Sequence, residues 1–150
     1  METTAYDIAT RFIGVREVDG PVANPHILAM LKLDGEWPKD DAVPWCSAFV
    51  NWVCWLLRLP RSKSLRARSW LVVGTPVVED DRWEAGFDVV ILKRGSGKQP
   101  GPSVINAPGH VGFFSALEGE RIWILGGNQS DEVNVSSYPL SRVLGVRRLY

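Results

Sequence analysis

Two cysteines and two histidines are the residues of this 150-residue chain best suited to nucleophilic chemistry. Cys46 follows Pro44-Trp45 and opens a predicted long helix, where free backbone N–H groups and the helix dipole favour a thiolate. His110 follows Pro108-Gly109 at the start of a predicted strand, from which an imidazole can lean towards a helix N-terminus. The pair predicts a cysteine hydrolase, in which a thiolate attacks an amide carbonyl and an imidazolium protonates the leaving amine.

A third polar residue is needed to orient the imidazole, and the predicted hairpin suggests Asn128. If strands 110–117 and 121–128 pair across a three-residue turn, His110 lies opposite Asn128. A register shift of one residue would place Gly127 there instead. Turn formation is the alternative role of Asn128, so this is the weakest member of the predicted triad.

Each of these residues also has a structural interpretation. A lone cysteine often packs as a small apolar residue, which is what we expect of Cys54. The two cysteines lie eight positions apart in one predicted helix, about 12 Å between Cα atoms, so they are too distant for a disulfide. A histidine at a strand start is often structural as well. The case for catalysis therefore depends on Cys46 having His110 as a partner.

Other common sites find little support in the sequence. Gly95-Ser96-Gly97-Lys98 lacks the earlier glycine and the following hydroxyl of a phosphate-binding loop. His26 lies in the first turn of a predicted helix, where we expect a solvated or capping role. There is no Cys-x-x-Cys pair and no histidine pair at helical spacing, so we expect no metal and no cofactor.

The elements that would position this chemistry are helices followed by strands. Apolar spacing predicts a short helix over 6–13, capped by Thr3 or Thr4, and a second helix capped by Asn24. A third, central helix is predicted over 46–59, apolar on almost its whole circumference. Alternating segments then predict strands over 88–93, 110–116, 121–126 and 143–149. This order predicts an α+β domain.

Two further segments could contact a substrate or a polymer. The sixteen-residue loop 94–109 leads to the predicted histidine, and a loop of this length in a compact domain is usually functional or disordered. Because it leads to His110, we expect it to form one wall of the substrate groove. The stretch 58–68 carries five basic residues. It forms either a solvated loop or a contact with an anionic polymer.

Composition limits the class of protein. The chain has 17 basic and 17 acidic residues and is 45% hydrophobic, typical of a globular protein, and we predict one catalytic domain over 1–150. Zero net charge argues against a nucleic-acid binder. No apolar run approaches the ~20 residues of a membrane span. No secretory signal is visible, so we expect synthesis in the cytoplasm and no membrane insertion.

Six segments of the sequence form a recognisable combination when taken in order. They are Glu17-Val18-Asp19-Gly20, Asn24-Pro25, Pro44-Trp45-Cys46-Ser47-Ala48-Phe49-Val50-Asn51-Trp52, Ala67-Arg68-Ser69-Trp70-Leu71, Gly109-His110-Val111-Gly112-Phe113 and Gly126-Gly127-Asn128-Gln129-Ser130-Asp131. Together they resemble the CHAP (cysteine, histidine-dependent amidohydrolase/peptidase) group of phage and bacterial proteins, close to the NlpC-type peptidases. The resemblance covers roughly residues 6–148, and the combination of segments is its strongest feature.

The resemblance implies a papain-like fold, with N-terminal helices packed on a small antiparallel sheet. It implies hydrolysis of amide bonds in cell-wall peptidoglycan, with Cys46 as nucleophile, His110 as base and Asn128 as orienting residue. The scissile bond would lie either between muramic acid and L-alanine or within the stem and cross-bridge peptides. Acyl transfer to an amine instead of water stays open.

Five residues are candidates for substrate binding. Trp45 adjoins the nucleophile and either shapes the cleft or packs, and Gln129 adjoins Asn128. Glu17 and Asp41, with the neighbouring Asp40, could line the groove, although solvated loop acids are the alternative. In contrast, we expect Trp52 and Trp55 to lie in the core. The sequence departs from the family pattern at Gly86-Phe87-Asp88, where one residue is inserted relative to that pattern, and we expect Asp88 to be structural.

An enzyme with this activity would have to be delivered to the cell wall. A phage endolysin released through a holin pore fits best, and it would act as a monomer in the periplasm or cell wall. An exported antibacterial toxin fits nearly as well and would have a cognate immunity protein as a partner. The alternative of another class is a non-catalytic wall-binding or virion structural module.

Overall fold

The computed structural model describes residues 1–19, 23–35 and 44–150. In these ranges, helices are followed by a six-stranded sheet of order β1-β6-β2-β3-β4-β5, in which neighbouring strands are antiparallel. The helices are α1 (Ala5–Thr10), α2 (Pro25–Lys32) and α3 (Cys46–Leu56), with short 3-10 helices at Ala67–Val72, Asp80–Arg82 and Leu140–Arg142. The strands are β1 (Thr75–Pro76), β2 (Asp88–Lys93), β3 (Gly109–Glu118), β4 (Arg121–Gln129), β5 (Glu132–Pro139) and β6 (Val143–Arg148).

The first two helices begin at the predicted caps. The Thr4 side chain accepts a hydrogen bond from the Asp7 backbone N–H at 3.1 Å, and the Asp7 carboxylate accepts one from the Thr4 backbone N–H at 2.9 Å. Asn24 accepts from the His26 backbone N–H at 2.9 Å, with Pro25 at the first helical position. These bonds satisfy N–H groups that have no acceptor within the helix.

Helix α3 is the central element, as predicted, but it is shorter than expected. It ends at Leu56, where the Leu59 N–H donates to the Cys54 carbonyl and Arg58 adopts a left-handed conformation (φ 56°). Its buried face packs on β3 and β4, with the Phe49 ring 6.2 Å from the Phe113 ring. Trp55, expected in the core, is 47% exposed because it lies on the outer face of the last turn.

The sheet has an apolar cluster on each face. One cluster contains most of α3 together with Val111, Phe113 and Leu125, and the other contains Leu92 and Ile124. The predicted α+β class with an antiparallel sheet is confirmed. Strand β5 was not predicted: residues 132–135 alternate between polar and apolar, but the second half contains Ser136, Ser137 and Pro139, residue types common in turns.

Asp88 is structural, as predicted. Its carboxylate is fully buried and accepts two hydrogen bonds from the Arg148 guanidinium, at 2.7 and 2.8 Å. It also accepts one from the Glu84 backbone N–H at 2.9 Å. The bidentate pair connects β2 to β6. Among the described residues, none of the helices is long and apolar enough to cross a membrane.

Candidate active site

The N-terminus of α3 holds Cys46 in the interior, with the residue only 3% exposed. The preceding Trp45 is fully buried, and its indole N–H donates to the Glu17 carboxylate at 2.7 Å. Gly127 of β4 lies against the indole so closely that an added Cβ would come within 2.6 Å of the Trp45 ring. The start of α3 is therefore packed directly onto β4.

The first residues of β3 bring His110 to Cys46, as the sequence predicted. Burial by itself raises the pKa of the Cys46 thiol, but a hydrogen bond to His110 and the imidazolium charge outweigh it, with help from the Val111 backbone N–H. The pKa of Cys46 is therefore lowered. Burial by itself lowers the pKa of His110, but its hydrogen bond to Cys46 and the thiolate charge raise it, so the net shift is upward. Both shifts favour a thiolate–imidazolium pair.

Gln129, at the end of β4, holds the far side of the imidazole. Its side-chain nitrogen donates to the backbone carbonyls of Ile124 and Asn134, at 3.2 and 2.8 Å. Carbonyl oxygens only accept, so this end of the amide must be the nitrogen and the other end must be the oxygen. That oxygen lies 2.9 Å from Nε2 of His110. Nε2 therefore carries the hydrogen, which leaves Nδ1 to exchange a proton with Cys46.

The orienting amide is thus that of Gln129, where the sequence analysis placed Asn128. The predicted register is present in mid-hairpin, where Phe113 pairs with Leu125. Beyond it, β4 contains one extra residue relative to β5, between Gly126 and Gln129, and Asn128 adopts a left-handed conformation (φ 57°). This bulge turns Asn128 away from the imidazole and brings Gln129 to it. Gln129, predicted to bind substrate, is instead 3% exposed and engaged in this network.

Tyr138 of β5 completes the polar cluster, and no sequence pattern indicated it. Its hydroxyl donates to the Gln129 side-chain oxygen at 3.0 Å and lies 3.4 Å from Nε2 of His110. The two rings of Tyr138 and His110 lie 5.4 Å apart. Burial, together with the negative charge of Cys46, raises the pKa of Tyr138 to about 12, so the hydroxyl stays a donor at neutral pH.

Arg68 forms hydrogen bonds with the loop that precedes His110. The sequence had predicted that the basic stretch containing Arg68 is either solvated or in contact with an anionic polymer. Arg68 is fully buried, and its guanidinium donates to the carbonyls of Pro108, Pro100, Gly101 and Val104 at 2.8 to 3.1 Å. Burial lowers its pKa. Arg68 therefore connects the 3-10 helix Ala67–Val72 to the segment that leads into β3.

Comparisons with known proteins bear on the fold. No family model and no curated protein matches this chain significantly. The solved structure of NlpC1 from Trichomonas vaginalis superposes on 96% of the chain with a TM-score of 0.54, at 13% sequence identity. The fold is NlpC-like and papain-type. The chain spans 42% of the length of the NlpC1 chain.

In this NlpC-like fold, the remaining residues considered in the sequence analysis lie in different places. Trp45 packs beneath the site, and the Glu17 carboxylate holds its indole. Asp41 and its neighbour Asp40 lie outside the described residues. Cys54 is fully buried, and burial raises its pKa to about 12, as expected of a structural thiol.

A cleft of about 420 Å³ opens beside His110 and contains Asn128, Gln129 and Tyr138 in its lining. A larger groove of about 800 Å³ lies elsewhere, between Val78, Trp83 and the 3-10 helix Leu140–Arg142, and neither Cys46 nor His110 lines it. The smaller cleft is the candidate active site of the NlpC-like fold because the predicted base, His110, lines it, although the buried Cys46 is not among its lining residues. No group of three potential metal ligands occurs among the residues the structure describes.

Proposed function

We propose that this chain is a cysteine hydrolase that cleaves an amide bond in the peptide part of peptidoglycan. The observation that carries the proposal is the buried Cys46 beside His110, with Gln129 holding Nε2 of the imidazole. A merely structural cysteine resembles Cys54, whose pKa is raised by burial. Cys46 is equally buried, yet its surroundings lower its pKa, and that difference supports a nucleophile.

The first half of the reaction forms an acyl-enzyme. The Cys46 thiolate attacks the carbonyl carbon of the scissile amide and forms a C–S bond. The backbone N–H of Cys46, which has no acceptor within α3, can donate to the developing oxyanion. As the C–N bond breaks, the His110 imidazolium gives its proton to the leaving amine, which leaves a thioester and a neutral imidazole.

The second half restores the enzyme. Neutral His110 takes a proton from a water molecule, whose oxygen attacks the thioester carbonyl. The C–S bond breaks, the carboxylic acid leaves, and the thiolate–imidazolium pair forms again. Gln129 keeps the ring in one tautomer and one orientation through both halves. An amine in place of water would give acyl transfer, which we retain as the alternative outcome.

Support for a cell-wall substrate comes from the fold together with the sequence. The NlpC-like fold agrees with the resemblance carried by the Trp45-Cys46 and Gly109-His110 segments, which extends to the wall hydrolases. The non-catalytic alternative provides no reason for the cooperation of Cys46, His110 and Gln129. The endolysin and exported-toxin roles stay predictions, and the gene neighbourhood would distinguish a holin gene from an immunity gene.

The experiment is digestion of purified peptidoglycan by the wild type and by Cys46→Ala, with soluble products identified by mass spectrometry. We expect fragments from the wild type only, and their masses will distinguish the muramoyl–alanine bond from bonds within the peptides. Circular dichroism of both proteins controls for folding. Equal release by both would show that Cys46 is not the nucleophile. Sedimentation of both with the wall, without release, would favour the binding module.

A further inference from the structure

The cleft beside His110 has a strongly one-sided charge. Its lining includes the basic residues Lys93, Arg94 and Arg142, and no aspartate or glutamate occurs among the described residues that line it. The whole chain has no net charge, so this distribution is local. A cleft lined by charges of one sign attracts substrate groups of the opposite sign.

The strand pairing places this charge next to the reacting groups. In β2, Leu92 lies opposite His110 and Lys93 lies opposite Gly109, so Arg94 follows directly at the same end of the sheet. The charge of Arg94 also acts on the pKa of Cys46, which burial raises and His110 and Arg94 lower. Arg94 therefore lies within electrostatic reach of the nucleophile.

Arg142 and Arg94 have different tasks. The Arg142 guanidinium donates to the backbone carbonyls of Lys93 and Gly95, both at 3.0 Å, so it holds the chain on either side of Arg94. The Arg94 side chain is exposed, and it has no hydrogen bond or ion pair within the described part of the chain. A fixed backbone thus presents an unpaired guanidinium at the cleft.

We propose that Arg94, assisted by Lys93, is a carboxylate-binding subsite, and that the preferred substrate carries a free carboxylate close to the scissile amide. The guanidinium fork matches the two oxygens of a carboxylate, and peptides of the cell wall carry such groups on acidic residues and at their carboxy-termini. This inference rests on the proposed hydrolase function. The subsite adds a charge preference to that function, so amidation of the substrate carboxylate will lower kcat/KM.

The first test uses alkylation of Cys46 and requires no turnover. Iodoacetate and iodoacetamide both form a C–S bond with the thiolate and release iodide, but only iodoacetate is an anion. We expect Arg94→Gln to lower the ratio of the iodoacetate rate to the iodoacetamide rate by about threefold or more, whereas Arg94→Lys retains most of it. The ratio cancels changes in thiol nucleophilicity. Cys46→Ala gives the background.

The control is Lys98→Gln, which removes one positive charge from the same loop but from a residue outside the lining of the cleft. It separates a subsite from a change in net charge, and we expect the alkylation ratio to stay at the wild-type value. An unchanged ratio in Arg94→Gln, or an equal fall in Lys98→Gln, would overturn the subsite.

The second test compares kcat/KM for two peptide substrates that differ only in a carboxylate or a carboxamide beside the scissile bond. We expect the wild type to prefer the carboxylate and Arg94→Gln to lose that preference. Cys46-dependent cleavage with equal rates, or with an unchanged preference in Arg94→Gln, would overturn the subsite and retain the hydrolase. Absence of Cys46-dependent cleavage together with the expected alkylation ratios would overturn the hydrolase and retain the subsite.

Discussion

The side-chain oxygen of Gln129 lies 2.9 Å from Nε2 of His110, and the nitrogen of the same amide is bound to backbone carbonyls. This arrangement determines both the tautomer and the orientation of the imidazole. It also gives two neighbouring residues different roles, because Asn128 adjoins Gln129 in the sequence but takes no part in the hydrogen bonds around the imidazole. The difference between these neighbours can be tested directly.

Replacing Gln129 should cost activity, and replacing Asn128 should not. In Gln129→Ala the imidazole loses its acceptor, and we expect kcat/KM to fall about 10- to 100-fold, a part of what general acid–base catalysis supplies. Asn128→Gly suits the left-handed backbone at φ 57° and should stay within about twofold of the wild type. Steady-state rates on wall fragments give both values. Greater loss in Asn128→Gly would return the orienting role to Asn128.

The coupled shifts at Cys46 and His110 predict a bell-shaped pH profile. The lowered pKa of Cys46 means that the thiolate forms below the usual thiol pKa of 9.0, and the raised pKa of His110 means that the imidazolium persists above 6.5. Activity should rise as the thiolate forms and fall as the imidazolium loses its proton. The two apparent pKa values belong to the pair.

The alkylation rate of Cys46 by iodoacetamide across pH measures the acid limb of this profile. In His110→Ala the burial of Cys46 is no longer opposed by the imidazolium, so the limb should move to higher pH. Identical limbs in the wild type and in His110→Ala would show that the imidazole does not activate the thiol.

Much of this site was predictable from local patterns, and the remainder depended on tertiary packing. A cysteine at a helix start and a histidine at a strand start are visible in the sequence. The bulge that exchanges Asn128 for Gln129 is not, because it follows from how β4 pairs with β5. Tyr138 was missed because it lies in the second half of β5, between Ser137 and Pro139, where the residue types are typical of a turn.

Arg68 illustrates a second limit of sequence analysis. Its position among several exposed basic residues suggested a solvated role, yet it is fully buried. Its partners are backbone carbonyls of the segment 100–108, and carbonyl acceptors have no signature in the sequence. Only the path of the loop shows that a guanidinium belongs there.

The Arg68 contacts lead to a stability prediction. Lysine cannot reach four carbonyls from one ammonium group, so Arg68→Lys should lower the free energy of unfolding by about 2–4 kcal/mol. The neighbouring exposed Arg66 is the matched control, and Arg66→Lys should change it by less than about 0.5 kcal/mol. Urea denaturation measures both. Equal stability of the two variants would mean that the buried contacts of Arg68 contribute little.

Gly127 allows a test of the packing beneath the nucleophile. An added Cβ would lie 2.6 Å from the Trp45 ring and 2.9 Å from Cβ of Phe49, so Gly127→Ala should destabilise the fold by about 1–3 kcal/mol. It should also displace Trp45 and reduce activity. Gly101 has open space around it, and Gly101→Ala provides the control. Thermal unfolding and turnover of the two variants test this prediction. Wild-type stability and activity in Gly127→Ala would argue against the contact with Trp45.

The central claim is that Cys46 forms a thioester with the acyl half of a cell-wall peptide. Acid-quenched turnover, followed by mass spectrometry of the protein and its peptides, measures this most directly. We predict an adduct on Cys46 with the mass of the acyl fragment, removed by hydroxylamine and absent from Cys46→Ala. An acyl group on another residue, or undiminished turnover by Cys46→Ala, would contradict the mechanism.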